Sequence, residues 1–164
     1  MSDRPVIGWR QWRDPELLIV CGLGSGFAPK APGTVGSLAA VLIWWLLMAG
    51  LPVEGQLAVI ALVTVAGTWL TARVQRRYGV SDPAAIVVDE FAGQWLALLA
   101  VPADPWIVLA SFALFRLFDI VKPWPVGMLE RRVGGAFGVM VDDLAAGLMA
   151  LAVLQFTLYA IAHV

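Results

Sequence analysis

The stretch "AIVVDEFAGQWLALLAV", residues 85–101, is apolar enough to enter a bilayer, yet it carries two adjacent carboxylates, Asp89 and Glu90, near its start. Ionised acids in an apolar medium need partners, so the fold has to supply them. The rest of the chain sharpens that demand. Hydrophobic residues make up 60% of the 164 and charged ones 14%, with a mean hydropathy of +0.83, far from the balance of a water-soluble domain. The expected fold is all-α, an integral membrane bundle of about four to five short spans behind a short N-terminal helix. A separate soluble catalytic domain does not fit in this length, so any chemistry belongs to the bundle itself.

Apolar runs broken by Pro, Gly and charge predict spans at 35–51, 55–72, 86–101, 106–120 and 139–162. The third and fourth, about 15 residues each, fall short of the roughly 17 to 25 needed to cross, and read as a central hairpin shielded by the others. Asp14 and Pro15 supply an N-cap and a first helical position, so a short helix is expected from there to Gly22, closed by Gly24 and Gly26. Thr34 or Ser37 is expected to cap the next helix. Residues 1–13, with Trp9 and Trp12, read as an interfacial tail, and 14–164 as one membrane-embedded domain. Alternating spans put all eleven Lys and Arg residues on or near one face, which the positive-inside rule makes cytoplasmic. A three-span arrangement with residues 80–125 lying on the inner face has the same parity.

In that topology Asp89, Glu90, Asp119, Asp142 and Asp143 converge from three helices at one depth, with Gly93, Ala146 and Gly147 allowing close helix approach. Such a cluster repels itself unless a cation neutralises it. Mg2+ suits a set made of carboxylates and water, whereas zinc is disfavoured because the only histidine, His163, lies at the far end. Lys30, Thr34, Ser37, Arg116 and Lys122 fall near the same face and imply an anionic substrate. Competing readings exist: Arg116 and Asp119, three apart, suit a plain ion pair, and Lys122 suits interfacial snorkelling. "GGAFG", residues 134–138, reads either as a backbone anion nest or as a flexible linker. Cys21 reads as a packing residue, and nothing in the charge pattern suggests nucleic acid.

The segments "GFAPKAPGTVGSLAA", "VVDEFAGQW", "FRLFDIVKPWP" and "VMVDDLAAG" resemble, in order and spacing, the phosphatidylglycerophosphatase A family, over roughly residues 20–150. The resemblance implies a Mg2+-dependent phosphatase of the bacterial inner membrane that removes the terminal phosphate of phosphatidylglycerophosphate, an anionic phospholipid in the cytoplasmic leaflet. Joined to the residue reading, it makes Asp89, Glu90, Asp142 and Asp143 the metal ligands and catalytic groups, with Asp119 beside them. Lys30, Arg116 and Lys122 then offset phosphoryl charge, and Thr34 and Ser37 donate hydrogen bonds. Attack by water or by an aspartate both remain open. An ion-coupled transporter is the rival class, since intramembrane acids often line ion paths, although here they gather at one face rather than the midplane.

Overall fold

A computed structural model describes residues 7–81 and 83–163, so a reading of the first six residues lies outside it, as does one of the Trp9 side chain. The described residues form an all-helical structure. Its helices are α1 (Pro15–Val20), α2 (Pro32–Ile43), α3 (Val53–Tyr78), α4 (Val88–Ala97), α5 (Pro105–Val121), α6 (Val126–Arg132) and α7 (Gly135–Ala162). Two of them, α3 and α7, are long and apolar enough to cross a membrane, and only 22% of the most apolar window of each is buried. A core helix of a soluble protein would hide such a face. Here Leu62, Val65, Leu148, Phe156 and Ile161 stay exposed, which fits lipid rather than water around the helices.

Local chemistry sets the helix ends. Asp14 accepts hydrogen bonds from the Glu16 and Leu17 N–H groups with Pro15 next in line, as expected, although α1 ends at Val20. Asp104 and Pro105 start α5 in the same way. The expected cap on α2 is not made. The helix begins at Pro32 behind Ala31, no side chain caps it, and the Ser37 hydroxyl instead donates to the Gly33 carbonyl inside the helix. A wider turn at Trp44–Met48 extends α2, with the Ala49 N–H reaching the Trp44 carbonyl at 2.9 Å. Gly79, at φ 65, closes α3 in a left-handed conformation that suits glycine. "GGAFG" is not a free linker, because α7 starts at Gly135.

At ten residues, α4 is about 15 Å long, half the thickness of a bilayer core. It is nevertheless the hub: Val88, Asp89, Phe91, Ala92, Gly93, Gln94, Trp95 and Ala97 are all buried. Trp44, Phe91, Trp95 and Leu98 form one core cluster with α2, while Ile7, Leu17, Val74, Val88 and Met140 form another. Against α7 the contact is made by backbone. A methyl group at Gly93 would lie 2.6 Å from the Asp143 carbonyl oxygen, and one at Gly147 would run into the Gly93 carbonyl oxygen. The shielded central element expected from the sequence is thus α4, whereas α5 exposes Trp106, Leu109, Leu117 and Ile120.

Ion pairs tie α1 to the end of α3: Arg77 reaches Asp14 and Glu16, and Arg73 reaches Glu16, each at 2.9 Å. Burial opposes ionisation of Asp14, but hydrogen bonds from Tyr78, the Leu17 N–H and Arg77 outweigh it and hold the carboxyl below its ordinary value. This clasp is therefore at full strength at neutral pH and weakens only as the pH falls through the depressed value.

The α4–α7 contact gives a stability prediction. Gly147→Ala should lower the thermal midpoint of the purified protein by the equivalent of about 1–3 kcal/mol of overpacking. Gly50→Ala, where an added methyl meets nothing within 4 Å, should stay within about 0.5 kcal/mol. Equal midpoints for the two variants would show that the helices are not in backbone contact.

Candidate active site

Asp89 and Glu90 occupy the first turn of α4, where the positive end of the helix dipole favours anions, and the Glu90 N–H donates to Asp89 Oδ1 at 3.0 Å. Asp142 and Asp143 lie two turns into α7, opposite them, because Gly93 and Gly147 let the two helices touch just beyond. From a third direction, Gly33 in the first turn of α2 abuts Glu90 Oε1, leaving no room for a side chain there. Arg116 and Asp119 come from the last turns of α5, and Lys122 caps it at φ 48 before the chain turns into α6.

These residues line a cleft of about 470 Å3. Six carboxylates and two cations surround it: Asp89, Glu90, Asp119, Glu130, Asp142 and Asp143 against Arg116 and Lys122. The cations are already engaged. Arg116 Nη1 lies 2.8 Å from Asp119 and 3.3 Å from the Ser37 hydroxyl, and Lys122 Nζ lies 2.9 Å from Asp142 and 2.7 Å from Glu130. Partial burial pulls the Lys122 ammonium down, but the hydrogen bonds to Glu130 and Asp142 prevail and raise it above its ordinary value. It stays charged across the neutral range and acts as a fixed cation rather than a proton donor.

The remaining three acids have no such help. Asp89, Glu90 and Asp143 bring carboxylate oxygens within 4.8 Å of one another, and no ion pair among the described residues includes them. Glu90 Oε2 and Asp143 Oδ2 are buried without a hydrogen-bond partner, as is Asp142 Oδ1. Converging unpaired oxygens suit a hard divalent ion, and no sulfur or imidazole lines the cleft to favour a softer one. The cluster is a place that can hold a metal ion.

Of the residues singled out in the sequence, the cleft gathers all five acids with Arg116 and Lys122. Lys30 is exposed in the loop before α2 and does not line it. Thr34 also lies outside the lining, and Ser37 is fully buried, where it accepts from Arg116 instead of facing the cleft. The ion-pair reading of Arg116 is visible too, since it does pair with Asp119, whereas Lys122 turns to Asp142 and Glu130 at the cleft. Glu130 was not singled out. It enters through α6, a seven-residue helix whose apolar content is too low to register as a span. A second cleft of about 880 Å3, lined by uncharged residues including Phe27, Pro29 and Val80, shares Pro32, Ser81 and Ala84 with the first.

Comparison with known proteins gives a consistent picture. The profile of the family described as Phosphatidylglycerophosphatase A matches residues 18–158. A protein of that name from Escherichia coli (strain K12) is 41% identical over 144 residues, covering 87% of this chain and 83% of the relative. Another from Haemophilus influenzae is 40% identical over 141 residues, covering 85% and 86%. A relative from Bacteroides thetaiotaomicron, 46% identical over 154 residues and covering 90% and 92%, carries the provisional name of a phosphatidylinositol-3-phosphatase. No solved structure matches the chain.

The unpaired acids predict a link between stability and a divalent ion. Without ion, Asp89→Asn and Asp143→Asn should melt above the parent protein, because each removes one buried, repelled charge. Adding Mg2+ should raise the parent's midpoint and leave both variants almost unmoved. An equal ion-induced rise in all three would locate binding away from this cluster.

Proposed function

Since the chain belongs to the phosphatidylglycerophosphatase A family, we propose that it hydrolyses the terminal phosphate of phosphatidylglycerophosphate, with Mg2+ as cofactor. The protein is a phosphatase of phospholipid metabolism. The observation that carries the finer reading is the trio Asp89, Glu90 and Asp143, unpaired and within 4.8 Å, beside two oriented cations. The transporter alternative has no support in the comparisons.

Asp89, Glu90 and Asp143 would hold the ion, with Asp142 at its edge. When bound, Mg2+ supplies Lewis-acid polarisation of a phosphate oxygen and a more acidic water. Arg116 and Lys122 offset charge on the transferring phosphoryl group, and both are already aimed by neighbours, so trading a carboxylate contact for a phosphate oxygen costs little reorganisation. Asp119 or Asp142 takes the proton of an attacking water, or an aspartate attacks directly. Pro32 and Gly33 line the cleft, so Lys30 and Thr34, on either side of them in the chain, meet the headgroup at its mouth. Ser37 contributes by holding Arg116. The neutral neighbouring cleft offers room for the uncharged part of the headgroup.

The protein sits, in this reading, as a multi-pass bundle of four to five spans in the bacterial inner membrane, with α4 as a half-length central element. Arg73, Arg76, Arg77, Arg131 and Arg132 lie at the cleft-bearing ends of α3, α6 and α7, and the positive-inside rule puts that end in the cytoplasm. Arg76→Cys and Asp104→Cys, each in a Cys21→Ala background, should label from opposite sides with an impermeant thiol reagent. Labelling of both from one side refutes this topology.

Phosphate release from the purified protein should require Mg2+ and stop with chelator. Asp89→Asn, Glu90→Gln, Asp142→Asn and Asp143→Asn should each lower turnover by about 10² or more. Glu54→Gln and Asp104→Asn, with the same charge change at the opposite end, should leave it nearly intact. Similar rates in both sets would remove the cluster from the mechanism. The 46% identical relative favours one second reading, a phosphomonoester on an inositol lipid. Faster release from phosphatidylinositol 3-phosphate than from phosphatidylglycerophosphate would establish it.

A further inference from the structure

Gln94 lies in the acid-bearing helix α4, and nothing above uses it. It is fully buried, and neither its Nε2 nor its Oε1 has a hydrogen-bond partner among the described residues. A buried, unserved amide is costly, since it surrenders its water without replacement. Methionine or leucine would fill the space at no such cost.

The surroundings give the amide a purpose. Gln94 follows Glu90 by one helical turn and therefore shares its face of α4. That face fronts the seam between α2 and α5. Glu90 abuts Gly33 of α2 with Arg116 alongside, and the Trp95 indole donates to the Ala40 carbonyl of α2 at 2.8 Å. Ser37, midway between Gly33 and Ala40, accepts from Arg116. Gly93, the residue before Gln94, packs against Phe115 of α5. Gln94 thus falls between the Glu90–Gly33 and Trp95–Ala40 contacts, one turn along α4 from the acids of the cleft. Two more buried atoms in this seam are unpaired, Arg116 Nε and Glu90 Oε2. One is a donor and the other an acceptor, and a carboxamide offers the complement of each.

We infer that Gln94 is a positioning residue for phosphoryl transfer, whose amide, without a partner in the ion-free protein, joins Arg116 and Glu90 through a water in the seam into one hydrogen-bonded unit when the site is loaded. The inference rests on the phosphatase reading above. Gln94 does not touch substrate. It fixes the angle at which the Arg116 guanidinium meets the phosphoryl group, and small errors in such angles act on the transition state more than on binding.

The test compares the parent protein with Gln94→Met and Gln94→Asn, measuring kcat and KM for phosphatidylglycerophosphate with Mg2+ and the melting midpoint without it. Gln94→Met keeps the volume and loses the hydrogen bonds. Its kcat should fall by about tenfold or more with KM within about twofold, while its ion-free midpoint holds or rises because the amide has no partner in that state. Gln94→Asn should recover part of the lost kcat. An unchanged kcat in Gln94→Met overturns the inference, and so does a fall that tracks a lower midpoint or that Gln94→Asn does not relieve. Should Gln94→Met not accumulate, Gln94→Leu is read in its place, and failure of both to fold assigns the amide a purely structural role. A parent protein inactive on the lipid defeats the phosphatase reading and this inference together. An active parent matched by an equally active variant defeats this inference alone.

Discussion

The site depends on the backbones of α4 and α7 touching. Gly93 meets the Asp143 carbonyl, and Gly147 meets that of Gly93. Side chains at these points would hold the helices apart by at least the width of a methyl group, and the three carboxylates would no longer share one small volume. The contact is also what lets a ten-residue helix be a hub. Its own hydrogen bonds are too few to hold it as an isolated helix, so α4 persists because its neighbours enclose it.

Enclosure has an electrostatic cost, and the cost is directed. Both cations at the cleft are bound to Asp119, Asp142 and Glu130, which leaves Asp89, Glu90 and Asp143 facing one another. A sequence selected only for stability would neutralise or remove one of them. Keeping them is intelligible if the protein folds around an unmet need for positive charge, which a divalent ion can meet. The same logic extends along α4 to Gln94, where a polar group is kept in a place that apolar packing would fill.

Much of this was legible beforehand. The acid pairs, the small residues beside them and the Asp14 helix start are signals of one or a few adjacent residues, and adjacent signals survive into the fold. What escaped depends on tertiary contact. Ser37 looks like a cap by spacing, yet Pro32 starts the helix earlier and the hydroxyl turns inward to Arg116. The apolar run that follows Gln94 continues to residue 101, which does not reveal that the helix ends at Ala97. Glu130 reaches the cleft after the chain turns back from α5 into α6, with Lys122 left-handed at that turn and paired with Glu130. Gln94 offered a visible clue, a lone amide in an apolar run, but its isolation from partners is a property of three packed helices.

The helices differ in length, and that difference bears on the membrane around them. α3 and α7, at 26 and 28 residues, extend about 39 and 42 Å, while the 17 residues of α5 extend about 25 Å. A hydrocarbon layer of about 30 Å is shorter than α3 and α7, the two helices apolar enough to cross it, so in a membrane they lean or protrude. In the multi-pass arrangement proposed above, bilayer thickness would set how far a headgroup must rise to reach the acids. Lipids with longer tails would then lift the leaflet surface away from them, and the membrane's fatty-acid composition would become a mechanical input.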